Sequence, residues 1–445
     1  MRPRLVVLLA AAGSVALYAA LAATGDLAAH VPAFLAVHAA LIALMLVARH
    51  AVDRGGVGEI RLAIAAAVVF RLVGAAAPPS LSDDVYRYVW DGRVQAAGHH
   101  PYRYAPDDPR LAALRDSVVF PRVNHPDIPT IYPPLAETLF AALASAGLGP
   151  LGFKLVLALL DVLAVVALAG LLRRLRAPPG RLVLYAWNPL AVVEVAFSGH
   201  VEPLGVLFVL LAVASLVDER PARGAAALAA AIQAKLLPLV LVPGLARRFP
   251  ARALAAGTAV IAVTTLPYAI GGPAYGAGVH AYARSWEHGA VFFAGVRAAC
   301  ARLDLAPALT SAITEAKARF GGGGSAVWDL LYRSVWPETL ARITVAAAVV
   351  VWSIVQSFRR GLDPAAEARH VLGAALLLSP TLHPWYVLWV LPLAAAQEAW
   401  GWMILGAAVP LGYLAGPADL SWPLRLLIVV PALLWMTKDA LRSRR

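Results

Sequence analysis

Residues 151–172 read LGFKLVLALLDVLAVVALAGLL. At 1.5 Å of rise per residue such a run, wound as a helix, covers roughly 30 Å, the thickness of a bilayer's hydrocarbon core. Only Lys154 and Asp161 interrupt it. They stand two turns apart on one face, which suits ionic or hydrogen-bonding partners inside a bundle, with a proton relay as the other reading. Comparable runs recur at 5–23, 32–48, 60–77, 182–197, 203–217, 253–270, 341–357, 368–381, 385–397, 401–416 and 422–437. The whole chain of 445 residues is 60% hydrophobic and 14% charged, with a mean hydropathy of +0.71. Soluble domains are about half apolar and a quarter charged, so the composition excludes a soluble enzyme and a disordered chain. Apolar blocks of this length, without period-two alternation, exclude a β-barrel.

The expectation is therefore an all-α polytopic membrane protein with about 12 to 14 transmembrane helices, forming one integral membrane domain over residues 1–445. The net charge of +12 suggests nucleic acid at first sight. Its arginines, however, cluster in short loops between apolar blocks, which is a topology signal. Loops carrying Arg49, Arg54 and Arg61, Arg173 to Arg181, Arg220 and Arg223, Arg247 to Arg252, Arg359 to Arg369, and Lys438 to Arg445 are expected in the cytoplasm, with both termini. Leu5 to Ala23, after Arg2 and Arg4, fits a cleaved signal peptide or an uncleaved first span, and we read it as a span. Cys300, the single cysteine, excludes an internal disulfide framework and a thiolate cluster within the chain. Residues 131–150, opened by Tyr132-Pro133-Pro134, and residues 224–245, interrupted by Lys235 and Pro238, break the parity of the topology. Each is either a broken or re-entrant helix or an ordinary span.

Two long loops are expected on the outer face, at 78–130 and 271–337; the second contains Gly321 to Gly324, a hinge by composition. The first begins Ser82-Asp83-Asp84-Val85-Tyr86-Arg87-Tyr88-Val89-Trp90-Asp91-Gly92-Arg93. This is a helix start, in which Ser82 and Asp83 cap and Asp84 meets the helix dipole, or else one carboxylate is a general base on a hydroxyl. Tyr86, Tyr88 and Trp90 pack on a sugar or anchor among headgroups. His200 and Glu202 stand at a hairpin tip, where a metal, phosphate or hydroxyl is a fitting ligand. Lys235, with no carboxylate nearby in sequence, needs a counter-charge that a lipid phosphate supplies, unless it snorkels. Glu194 also lies at membrane depth, and His383-Pro384-Trp385-Tyr386 opens a late span. Asp83, Asp84, His200, Glu202, Lys235 and His383 thus all reach one membrane face in the topology set by the arginine loops.

These stretches, together with Pro101-Tyr102, Ile131-Tyr132-Pro133-Pro134-Leu135, Trp187-Asn188-Pro189 before Gly199-His200, and Ala234-Lys235 with Pro238, resemble polytopic GT-C class glycosyltransferases. The nearest in pattern are bacterial mannosyltransferases of the glycosyltransferase family 87 type and their lipomannan-elongating relatives. The resemblance runs over roughly residues 60 to 395. It implies a GT-C helical bundle whose first large outer loop carries the catalytic Asp, a polyprenyl-phosphate sugar as donor, a lipid-linked or cell-envelope glycan as acceptor, and inversion at the anomeric carbon. Carried onto this chain, Asp84 is the first choice for general base and Asp83 the second. Lys235, His383 and Arg87 would meet the donor phosphate. His200 and Glu202 would line the acceptor side or bind metal, with Tyr86, Tyr132, Trp385 and Tyr386 in the pocket. Many luminal relatives have a spaced Asp-x-Asp where this chain has adjacent Asp residues, which leaves a divalent cation open. No Walker or G-x-G-x-x-G pattern in a suitable context calls for a nucleotide. A secondary transporter or lipid flippase, using Lys154, Asp161, Glu194 and Lys235, is the alternative in class. Another membrane transferase or polymerase with the same lipid substrate is a third.

Overall fold

The long apolar runs become helices in the computed structural model, which describes residues 2–269, 276–321, 325–359, 361–416 and 418–442. Gly322 to Gly324 of the expected hinge, Arg360, and Ser443 to Arg445 of the last basic segment lie outside the described residues. Among the described residues there is no strand, only an isolated pairing of His288 and Gly289 with Thr381. Among the described residues four helices are long and apolar enough to cross a membrane: Pro3–Thr24, Ala28–Asp53, Pro150–Arg174 and Pro337–Phe358. Shorter apolar helices occupy Pro134–Ser145, Glu202–Val217 and Trp400–Ala415.

The irregular elements follow from proline and from buried polar groups. The run at 182–197 is a chain of short pieces, because Pro189 cannot continue a helix and Asn188 caps the next turn by accepting from Leu190 N. It ends in a π-helical turn, Val193–Phe197, a form that often appears where a side chain must be re-aimed. The helix Pro221–Ala234 stops at Lys235, whose backbone is extended (φ −159°, ψ 143°), and resumes as the 3-10 turn Leu237–Leu241 around Pro238. Of the readings open for residues 224–245, the break is the one observed. The helix Pro134–Ser145, of 12 residues, rises about 18 Å, short of a full crossing. The stretch expected as a second long loop is largely helical, with Ala277–Ser285, Phe292–Leu303, Ala306–Phe320 and Ser325–Ser334.

Charges within the apolar helices are paired inside the bundle. Lys154 and Asp161 do not meet. Lys154 Nζ donates to the carbonyls of Gly74, at 3.3 Å, and Ala77, at the C-terminal end of the helix Val57–Ala76, where its dipole favours a cation. Asp161 pairs with Arg71 (2.6 Å) and accepts from Tyr185. The partner missed in sequence is Arg71, which lies inside an expected span and is completely enclosed.

Candidate active site

The helix Asp84–Ala96 begins under Ser82, whose hydroxyl accepts from Asp84 N at 3.2 Å. Ser82 caps; Asp83, the other cap of the capped-helix reading, makes no side-chain cap and lines a cavity. Desolvation pushes the Asp83 carboxyl above its ordinary range, Arg122 opposing and Asp84 adding to the rise. Asp84 is held more tightly. Asn124 Nδ2 donates to Oδ1 at 2.6 Å, Tyr88 donates to Oδ2 at 3.4 Å, and His200 Nε2 stands 3.8 Å from Oδ2. Tyr88 follows Asp84 by four positions and shares its helix face. Tyr86, two positions on, points away, is buried against Arg122 and does not line the cavity.

That cavity, of about 1120 Å³, is lined by Asp83, Asp84, Arg87, Asn124, Tyr132, Lys235, Arg342, His383, Trp385 and Tyr386, among others. One wall is almost wholly apolar: Leu236 to Pro243 from the broken segment, Val345 to Val350 from the helix Pro337–Phe358, and Ala375 to Leu378. Leu239 and Val350 on this apolar wall are exposed at 53% and 43%.

The cations of the cavity differ in how far they are committed. Arg87 Nε donates to both oxygens of Asp91 (2.9 and 3.0 Å), and its other nitrogens donate to the carbonyls of Asn124, His125 and Ile128. It braces the loop that delivers Asn124 to Asp84. Lys235 has a protein counter-charge, Glu202, which is fully buried, and lies over the Tyr386 ring at 4.6 Å. No lipid phosphate is needed to neutralise it; the pairing was invisible in sequence because Glu202 stands 33 positions earlier. Glu202 and His200 lie behind the wall, outside the cavity lining. His200 stacks on Trp385 (4.1 Å), which stacks on His383 (4.4 Å), which stacks on His288 (4.6 Å). Burial, with His288 and Lys235 adding to it, holds His383 well below the usual imidazole value, so it meets a ligand as a neutral hydrogen-bonding group. Among the described residues no group of three or more His, Cys, Asp or Glu is arranged to hold a metal ion.

Two family models match this sequence. One, described as the alpha-(1->6)-mannopyranosyltransferase N-terminal domain of the MptA/MptB family, matches residues 4–251, and the other, the MptB C-terminal domain, matches residues 338–437. The first alone covers more than half of the chain. The chain belongs to the alpha-(1->6)-mannopyranosyltransferase family. No curated protein and no solved structure matches it. In this mannosyltransferase the N-terminal match carries Asp83, Asp84, Asn124, His200 and Lys235, and the C-terminal match carries Arg342, His383, Trp385 and Tyr386. Both domains contribute to the one cavity. Asn124 and Arg342 were missed in sequence. The first sits in an irregular loop; the second sits at the start of the run expected at 341–357, outside the arginine loops read for topology.

Proposed function

We propose that this mannosyltransferase transfers mannose from a polyprenyl-phosphate donor to a hydroxyl of a lipid-linked or cell-envelope glycan on the extracytoplasmic face, with inversion. In a bundle of about 12 to 14 spans with the arginine loops inside, the cavity opens toward that leaflet. The observation that carries the reading is one cavity lined by Asp84, Lys235 and His383 whose apolar arm is lined by the broken segment and the helix Pro337–Phe358. An isoprenoid chain suits the arm, and its phosphate then lies by Lys235 and His383. Asp84 takes the proton of the acceptor hydroxyl as that oxygen bonds to the anomeric carbon. The bond from the anomeric carbon to the phosphate oxygen breaks in the same step, and the lipid phosphate leaves with its charge met by the Lys235 ammonium. A single displacement with base and leaving group on opposite faces of the sugar inverts the anomeric centre. Asp83 is the second choice for the base. Confining both lipid-linked substrates to the bilayer raises their encounter rate. The transporter alternative has less to rest on, since Lys154, Asp161 and Glu194 are each engaged within the bundle.

Membranes containing the protein, incubated with a panel of radiolabelled polyprenyl-phosphate sugars, are expected to move label from the mannose donor into a glycan or glycolipid. Label accepted equally from a nucleotide-mannose after depletion of polyprenyl phosphates contradicts the donor assignment.

A further inference from the structure

His200 turns both ring nitrogens toward acceptors. Nδ1 lies 3.0 Å from the Glu194 carbonyl oxygen and 3.2 Å from Glu194 Oε2, while Nε2 faces Asp84 Oδ2 at 3.8 Å. The ring is fully buried, and Nε2 has no hydrogen-bond partner, Asp84 Oδ2 being the charged group it faces. A neutral imidazole carries one N–H. A proton on Nδ1 alone sets the Nε2 lone pair against a carboxylate oxygen; a proton on Nε2 alone sets the Nδ1 lone pair against a carbonyl and a carboxylate. The doubly protonated ring satisfies both sides.

The surroundings agree with a cation. Glu194 is fixed by Tyr413, whose hydroxyl donates to Oε1 at 2.8 Å. Trp385 covers the imidazole face, a placement that favours positive charge. Of the other charged groups nearby, Glu202, paired with Lys235, still adds negative charge at the ring, and Asp83 adds negative charge beside Asp84. We propose that His200, held as an imidazolium between Glu194 and Asp84, is the positioning residue that aims the Asp84 carboxylate at the acceptor hydroxyl. Burial by itself lowers the His200 value, but the Glu194 hydrogen bond and the Glu194, Asp84 and Glu202 charges outweigh it and leave it raised. The π-helical turn and Gly199 (φ +84°) make this approach feasible: they swing His200 back over Glu194, and a Cβ at Gly199 would press on Lys154 and Val85 at 3.0 to 3.2 Å.

The inference rests on Asp84 as the base, so its test runs Asp84→Asn alongside. Full-length protein in proteoliposomes is assayed with polyprenyl-phosphate mannose and a synthetic α-mannoside across the pH range. His200→Gln has no imidazolium to lose, so its kcat falls about tenfold below wild type at low and neutral pH and no longer declines on the alkaline limb, with the donor KM unchanged. Glu194→Gln lowers the His200 pKa, so the imidazolium is lost at lower pH and the alkaline limb moves down. Tyr413→Phe shifts it the same way by less. The last two variants carry the test if His200→Gln does not fold. Profiles that superimpose on the wild type, or that fall by one factor at every pH, overturn the positioning role. Undiminished transfer by Asp84→Asn defeats the base assignment instead.

Discussion

A buried ammonium demands a counter-charge, and at Lys235 the fold supplies Glu202 in that role. Removing one partner of such a pair strands the other, at a cost of about 3–5 kcal/mol for a fully buried pair. Lys235 is 20% exposed, which points to the lower end for Lys235→Met. Adding Glu202→Gln is expected to recover most of the melting temperature in detergent while the donor KM stays raised. A double variant with wild-type KM would remove Lys235 from the phosphate site. Charged residues in apolar context were legible in the sequence because hydrocarbon tolerates few of them, so Lys154, Asp161, Glu194 and Lys235 stood out. Their partners were not legible. Arg71 meets Asp161 from 90 positions away and Glu202 meets Lys235 from 33, and no periodicity links such pairs. His200 and Glu202 read as hairpin-tip groups open to a ligand, whereas both are fully buried behind the cavity wall.

Elements set the distances that chemistry needs. The helix Asp84–Ala96 crosses Pro134–Ser145 at Gly92, where a Cβ would collide with the Phe140 carbonyl. This crossing stacks Tyr88 on Phe140 (4.8 Å) and sets it edge-on to Tyr132 (5.0 Å). Those rings seat the first turn of the helix and so position Asp84. Gly92→Val is expected to force the two helices apart, at about 1–3 kcal/mol by the cost of overpacking, read as a lower melting temperature. It should reduce kcat more than donor KM, because the apolar arm lies on other elements. Unchanged kcat in a folded Gly92→Val protein would mean the crossing does not position the base. The helix start at Ser82 was readable, since caps act locally, and the break at Lys235 was one of the two readings left open, whereas Pro133-Pro134 opens a helix. The helical content of residues 277–334 was not, because a stretch placed outside the membrane by its polarity gives no apolar signal of helical length.

At the scale of the molecule, the claim is an orientation: arginine loops inside, cavity outside. In a Cys300→Ser background, Ala112→Cys in the first loop is expected to react with a membrane-impermeant maleimide in intact cells. Arg247→Cys should react only after lysis. The reverse pattern would put the cavity on the cytoplasmic side and rule out an extracytoplasmic lipid donor. Helical class and the paired family domains accord with the composition and the motif order, whereas the joining of Asp84 to His383 across one cavity needed coordinates, since they lie at opposite ends of the chain. The most direct test of the account is the transfer rate from polyprenyl-phosphate mannose in proteoliposomes for Asp84→Asn, Asp83→Asn and the double variant at matched protein levels. Loss of a general base predicts a fall of about 10²–10⁴ for Asp84→Asn and the double variant, with a smaller effect at Asp83. Wild-type rates in all three would contradict it.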